Sequence, residues 1–247
     1  MPPPPELSVV VPVYNEAENL AALVDELEQT LTDRVSSYEL ILVDDGSADG
    51  SLEVMRKLAV ERPQLRLLRM PGNCGQSAAL AAGFRAVRAP VTITLDADLQ
   101  NDPADIPAVL EALDDCDVVS GIRAVRRDSW VRRVASRISN RVRDWVVHDG
   151  VTDVGCSLKA YRSEFLRELP AFNSLHRFLP ALVKMRGARI KEIPVNHRPR
   201  IHGESKYTIG NRVWRGIVDL AGVRWLQSRW IDPHLAEEIS GKPGRSP

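Results

Sequence analysis

The chain has 247 residues, 44% hydrophobic and 27% charged, the ordinary balance of a globular protein with room for one sizeable core. Its formal net charge is zero, yet residues 1–118 carry 21 acidic against 8 basic side chains and residues 119–247 carry 12 against 25, which predicts a basic face for an anionic partner such as nucleic acid, a lipid phosphate or an acidic membrane surface. No apolar run reaches 18 residues, so no transmembrane helix is expected, and three scattered cysteines, Cys74, Cys116 and Cys156, exclude a disulfide framework and a cysteine zinc site and point to a reducing compartment.

Residues 1–6 form a Pro-rich stretch predicted to be disordered, without the basic flank and apolar region of a signal peptide. Leu7 to Val13 is a continuous β-branched run suited to a strand buried on both faces, with Pro12 tolerable only near its end. Tyr14-Asn15-Glu16 comes next as a turn with Asn15 as a plausible helix N-cap, and a helix is predicted from about Glu18 to Leu31. Tyr38 to Val43 is a second strand ending in Asp44-Asp45-Gly46-Ser47, and a helix over about 51–62 precedes a third strand at Leu65 to Arg69. After a loop at Pro71 to Gly75, the Ala-rich stretch from Gln76 to Val87 is helical by propensity. Strands at Val91 to Leu95 and Asp117 to Ser120 complete an alternation that implies right-handed βαβ crossovers and a mostly parallel α/β sheet.

Beyond Gly121 the rhythm changes. Arg123 to Arg143 holds eight arginines among Trp130, Val131, Val134, Ile138 and Val142, a cationic amphipathic helix preceded by a loop. Asp153 to Arg162 reads as a turn into a short strand, with a helix near Phe178 to Met185 and a strand near Ile190 to Val195 after it. His197 to Tyr207 is too polar and too rich in Gly and Pro for an element interior and reads as a functional loop. The last predicted helix, 210–230, carries Trp214, Ile217, Val218, Ala221 and Trp225 on one stripe flanked by arginines; it either lies in a membrane interface or packs on the core.

The chemistry concentrates in Asp96-Ala97-Asp98-Leu99-Gln100, where the Val91 to Leu95 strand breaks into two carboxylates. The carboxyl end of a parallel strand opens onto the ligand crevice of an α/β sheet. Two adjacent carboxylates repel unless a cation lies between them, and oxygen ligands favour Mg2+ or Mn2+ shared with a substrate diphosphate. The alternative is an acidic strand-to-loop turn in which Asp98 caps the next element. No HxH or HExxH spacing makes His176, His197 or His202 a metal ligand, and no stacking aromatics or reading helix support nucleic-acid binding.

Three strand-end motifs now stand in order: Val9-Val10-Val11-Pro12-Val13-Tyr14-Asn15-Glu16, Val43-Asp44-Asp45-Gly46-Ser47 and Asp96 to Gln100. Together they resemble the family 2 glycosyltransferases with a GT-A fold. The basic region after Gly121, Gly155-Cys156-Ser157-Leu158-Lys159 and Gly203-Glu204-Ser205-Lys206-Tyr207 resemble the polyprenyl-phosphate branch, typified by dolichol-phosphate mannose synthase and bacterial undecaprenyl-phosphate transferases. The resemblance implies a GT-A catalytic domain over 7–210, an amphipathic C-terminal helix over 211–231 and a loose tail over 232–247. It implies a nucleotide pocket at Pro12, Tyr14, Glu16, Asp44, Asp45 and Asp96, and a divalent metal, Mg2+ or Mn2+, on Asp98 and Gln100 with Asp96 beside it. It gives Arg123, with Arg132 and Ser136, to the acceptor lipid phosphate, and Arg200, Ser205 and Lys206 to a mobile loop closing over the donor. Asp98 and Arg123 are the residues on which catalysis is expected to depend.

The implied reaction is inverting transfer of a sugar from a UDP- or GDP-type nucleotide sugar to undecaprenyl phosphate. The implied place is the cytoplasmic face of the inner membrane, on its surface and with room for a membrane-protein partner. Many relatives add C-terminal transmembrane helices, and this sequence carries none. A saccharide acceptor, or a catalytically silent nucleotide- or membrane-binding scaffold, are the competing expectations.

Overall fold

The structure, a computed structural model, describes residues 3–123, 140–199 and 212–231. Its first half is a run of strand–helix–strand crossovers. β1 (Leu7–Val13), β2 (Tyr38–Asp44), β3 (Leu65–Arg69) and β4 (Val91–Thr94) are parallel, joined by α1 (Ala17–Leu31), α2 (Ser51–Glu61) and α3 (Gln76–Ala86). The second half adds α4 (Ile106–Ala112), β5 (Val118–Arg123), α5 (140–147), β6 (Lys159–Arg162), α6 (Leu175–Met185), β7 (Ile190–Val195) and α7 (Arg212–Arg229). The sheet order is β3-β2-β1-β4-β6-β5-β7, with β6 antiparallel to both neighbours and β7 parallel to β5.

The unbroken apolar runs of β1 and β2 result from their place at the sheet centre, where both faces are covered. Val9 and Val11 face Leu20, Leu23 and Leu27 of α1, while Val10, with Ile41 and Val43, faces Leu80 and Phe84 of α3 and Leu179 and Leu182 of α6. Alternation along the strand thus divides one run between two cores. Gly83 of α3 lies against Val10 so closely that a Cβ there would overlap the Val10 Cγ1. Pro12 lies past Val10, the last β1 residue paired with β4, so its missing N–H breaks no ladder on that side.

Several predicted elements end elsewhere. β5 runs on through Gly121 to Arg123, and α6 starts at Leu175. Asn15 does not cap α1: that position is Glu16, and Asn15 sits at φ 55° with its Oδ1 accepting from the Ala48 N–H at 2.8 Å. α4 has no counterpart among the predicted elements; Asp102 accepts from the Ala104 N–H and opens a 3-10 turn at Pro103 that leads into it. Of the cationic stretch, residues 124–139 lie outside the described residues, and α5 continues it to 147. α5 is pinned by the buried Arg143–Asp149 ion pair, while burial pushes the Asp149 carboxyl up against the pull of Arg143. α7 packs through Leu220, Val223 and Leu226, so the predicted stripe at Ile217, Val218, Ala221 and Trp225 faces out. No helix among the described residues is long and apolar enough to cross a membrane.

Candidate active site

From β1 the chain steps outward to β2 and β3, then returns to β4 on the other side of β1. The crevice beyond the carboxyl ends of β1 and β4 is therefore the switch point at which open α/β sheets bind ligands. Pro12, Tyr14 and Glu16 stand on one side of it, and Asp96, Asp98 and Gln100 on the other.

On the β1–β2 side two loops are laced together. Asn15 N–H donates to Ser47 Oγ (3.0 Å), Glu16 N–H to Ser51 Oγ (2.9 Å) and Ala17 N–H to Asp49 Oδ2 (3.0 Å). Below them Asp44 is buried at the end of β2; one oxygen accepts from the Ser47 N–H at 3.0 Å, and Oδ2 has no hydrogen-bond partner among the described residues, with Arg69 Nε 3.9 Å away. A buried carboxylate oxygen left unmatched is costly, and a ligand N–H would relieve it. Asp45 is used differently: it accepts from the backbone N–H groups of Cys74 (2.8 Å) and Gly75 (2.9 Å) and so folds the 72–75 loop over Gly46. Burial raises the Asp45 pKa, the two amides oppose this, and Asp44 adds to the rise.

On the β4 side, Asp96 Oδ1 accepts from Gln76 Nε2 at 2.8 Å, and Ser157 Oγ accepts from the Asp96 N–H at 3.2 Å while donating to Asn101 Oδ1 at 2.5 Å. Asp98 is buried, with Oδ1 accepting from the Gln100 N–H at 3.2 Å across Leu99, which adopts φ 59°. The chain turns here, but Asp102 rather than Asp98 caps the next element, and both Asp96 and Asp98 line one cleft. That cleft, about 40 Å³, is lined by Asp96, Asp98, Gln100, Arg123, Ser157 and His197 among others. A larger cavity of about 230 Å³ between α3 and the 166–175 segment lacks the carboxylate pair, so its size assigns it no part in this chemistry.

Arg123 closes the cleft from β5. Its Nε and Nη2 donate to Asp153 Oδ2 (2.8 Å) and Oδ1 (2.7 Å), a bidentate pair that fixes the plane of the guanidinium. A Cβ on Gly155 would lie 2.7 Å from Arg123 Nη2 and would push the guanidinium out of this pose. Behind this pair Glu192 of β7 accepts from the backbone N–H groups of Thr152 (2.9 Å) and Asp153 (3.2 Å). Burial raises the Cys156 thiol pKa, and the side chain packs against Asn101, as expected of a structural cysteine.

The cleft therefore brings together Asp96, Asp98, Gln100 and Arg123 among the expected residues, while Asp44 and Asp45 stand at the end of β2, separated from β4 by β1. Arg132, Ser136, Arg200, Ser205 and Lys206 lie outside the described residues. Gln76, Asn101, Asp153 and Glu192 are not among the residues the sequence singles out as functional; each is a polar side chain whose partner is distant in sequence. The oxygen donors of Asp96, Asp98 and Gln100 suit a hard divalent cation. Among the described residues no three or more His, Cys, Asp or Glu side chains cluster as an all-protein cage. Such a donor set fits an ion completed by substrate phosphate oxygens.

Residues 8–170 match the model of the family described as Glycosyl transferase family 2. An undecaprenyl-phosphate 4-deoxy-4-formamido-L-arabinose transferase of Edwardsiella ictaluri is 43% identical over 204 residues, 81% of this chain and 62% of that protein. A dodecaprenyl-phosphate galacturonate synthase of Rhizobium johnstonii is 38% identical over 227 residues, 90% of this chain and 67% of that protein. The chain thus spans about 62% of the length of the first of these relatives. Among solved structures, a mannosyltransferase from Pyrobaculum calidifontis in complex with GDP-Man and Mn2+ superposes with a TM-score of 0.63 at 20% identity, over 92% of this chain and 65% of that one. Glucosyl-3-phosphoglycerate synthase from Mycobacterium tuberculosis, in complex with Mn2+, UDP and glucosyl-3-phosphoglycerate, gives 0.65 at 16% identity, over 93% and 82%. These structures establish the GT-A fold, and with the family match over residues 8–170 the chain belongs to glycosyl transferase family 2.

Proposed function

We propose that the protein transfers a sugar from a nucleotide-sugar donor to the phosphate of a polyprenyl phosphate, with inversion at the anomeric carbon. The observation that carries this reading is the opposition, within one cleft, of the Asp96–Asp98–Gln100 acidic side and the Arg123 cationic side. A diphosphate leaving group and an anionic nucleophile need those two environments at close quarters. The names of the relatives, an undecaprenyl-phosphate and a dodecaprenyl-phosphate sugar transferase, favour a lipid phosphate over a saccharide acceptor.

Asp44 Oδ2 takes the N–H of the donor base, while Asp45 holds the loop that walls the base site. Asp98 and Gln100, with Asp96 beside them, hold a divalent ion, Mg2+ or Mn2+; when bound, it absorbs the charge that develops on the departing diphosphate. Asp96 is held by Gln76 in the orientation that faces the donor. Arg123, fixed by Asp153, orients the acceptor phosphate, which is already ionised near neutral pH and needs positioning more than a general base. Arg132 and Ser136 complete the acceptor-phosphate site, and Arg200, Ser205 and Lys206 close over the donor.

The reaction takes place at a membrane surface. Trp225 is 64% and Trp145 77% exposed, and both lie on helices joined through Val147 and Val223, with Arg141, Arg224 and Arg229 on the same helices. Exposed apolar side chains among arginines suit a headgroup interface. The donor is a UDP- or GDP-type nucleotide sugar, and the protein works on the cytoplasmic face of the inner membrane.

Incubation with a panel of nucleotide sugars, undecaprenyl phosphate and manganese, with mass analysis of the lipid fraction, tests this reading. One glycosylated lipid phosphate, abolished by EDTA, is expected. Transfer that survives EDTA overturns the metal assignment, and no lipid product with any donor overturns the function.

A further inference from the structure

Lys159 is 3% exposed, and a lysine is almost never so buried without partners. It lies on β6 opposite Thr94 of β4 and Ser120 of β5, midway between the strand that leads to Asp96 and the strand that leads to Arg123. Its Nζ donates to the carbonyl oxygens of Val154 (3.3 Å) and Cys156, both in the 153–157 loop. One end of that loop, Asp153, grips the Arg123 guanidinium; the other, Ser157, binds the Asp96 N–H and Asn101. The loop is therefore a bridge touching both sides of the cleft, and the buried ammonium draws its middle down onto the sheet.

We propose that Lys159 is a positioning residue for transfer: through the 153–157 loop it sets the geometry of Arg123 against the acidic side of the cleft. Burial lowers the Lys159 pKa, and the nearby Asp153 and Asp96 act against that fall. Removing the ammonium leaves two carbonyl oxygens without a donor and frees Asp153 to shift, so the loss is felt at Arg123 without any contact between Lys159 and a substrate. This inference rests on the proposed use of Arg123 for the acceptor phosphate.

The test is a double-mutant cycle on transfer to undecaprenyl phosphate, with Lys159→Met, Arg123→Ala and the pair, corrected for folded fraction by thermal unfolding. Lys159→Met is expected to lower kcat/KM for the lipid acceptor on the order of 10–100-fold, the usual effect of losing a supporting contact around a site. Donor-nucleotide affinity should stay within about 3-fold, and in the Arg123→Ala background the substitution should cost almost nothing further, because both act through one guanidinium. Lys159→Gln, which keeps one donor for the carbonyls, should fall between Met and the parent and serves if the Met variant does not fold. Equal losses in both backgrounds, or a loss confined to melting temperature, overturn the proposal. If the parent itself transfers nothing, the proposed function fails, and the positioning role is then read from hydrogen exchange: amides 153–158 should exchange at least about tenfold faster in Lys159→Met, and unchanged protection there overturns it.

Discussion

Asp44 and Asp45 are adjacent carboxylates at one strand end, and their surroundings give them opposite tasks. Asp44 presents a buried oxygen with no hydrogen bond among the described residues, whereas Asp45 spends its oxygens on the Cys74 and Gly75 amides. Asp44→Asn should therefore weaken nucleotide binding by roughly 1.5–3 kcal/mol, about 10–100-fold in affinity by calorimetry, with little change in stability. Gly46 sits between these roles at φ +74°, and a Cβ on it would meet the Gly72 carbonyl carbon at 2.5 Å. Gly46→Ala should cost about 1–3 kcal/mol in denaturant unfolding, since neither the backbone nor the opposing loop can yield cheaply. Asp49 adds a pH dependence. Burial pushes its carboxyl up, but the Ser51 hydroxyl and the Ala17 and Ser51 amides outweigh this and hold it below 3.8. The folded state binds that proton less tightly than the unfolded chain, so the stabilisation is complete above 3.8 and is lost as pH falls through the lower, folded value. The acid limb of a melting-temperature profile should be shallower in Asp49→Asn than in the parent; identical limbs would contradict the assignment.

At the scale of elements, the parallel half is legible because central strands buried on both faces must be continuous runs of apolar, β-branched residues. Leu7–Val13 matches its expected span for that reason, whereas Leu65–Arg69, a half-buried edge strand, matches as a short leucine-rich run between polar flanks. β5 is longer than its expected span because Gly121 reads as a break in sequence. Within the fold it is a packing requirement: a Cβ would lie 2.8 Å from Val195 Cγ2 and 2.9 Å from Cys156 Sγ, so the strand continues through it. The carboxylate cluster can be read locally, since Asp96 and Asp98 are two residues apart. The partners that orient it cannot, because Gln76–Asp96 and Arg123–Asp153 depend on the sheet order and on an antiparallel β6 inserted between β4 and β5. For α7 the stripe is visible in sequence but its direction is not, since contact falls to Leu220, Val223 and Leu226 on the neighbouring face. α5 depends on one buried ion pair, in which Arg143 also bonds the Val151 carbonyl oxygen. Arg143→Ala strands the Asp149 charge and should destabilise the protein by about 3–5 kcal/mol in urea unfolding, with the 140–151 amides losing protection first.

For the molecule as a whole, the zero net charge conceals an acidic first half, which carries Asp44, Asp96 and Asp98, and a basic second half, which carries Arg123 and the exposed helices. If the exposed apolar stripe is the membrane-facing surface, replacing Trp145 and Trp225 together by Ala should reduce binding to anionic liposomes at least about tenfold in sedimentation, while donor-nucleotide affinity stays unchanged. Equal liposome binding by the double variant would remove α5 and α7 from the membrane contact. The central claim is narrower: one cleft holds a nucleotide-sugar site on its acidic side and a lipid-phosphate site at Arg123. Steady-state transfer by Arg123→Ala, with undecaprenyl phosphate varied at saturating donor, tests it most directly. The predicted result is a loss of at least about 100-fold in kcat/KM for the lipid, as expected when the charged contact that orients the nucleophile is removed, with the donor KM little changed. Undiminished transfer, or an equal loss toward a saccharide acceptor, would contradict it.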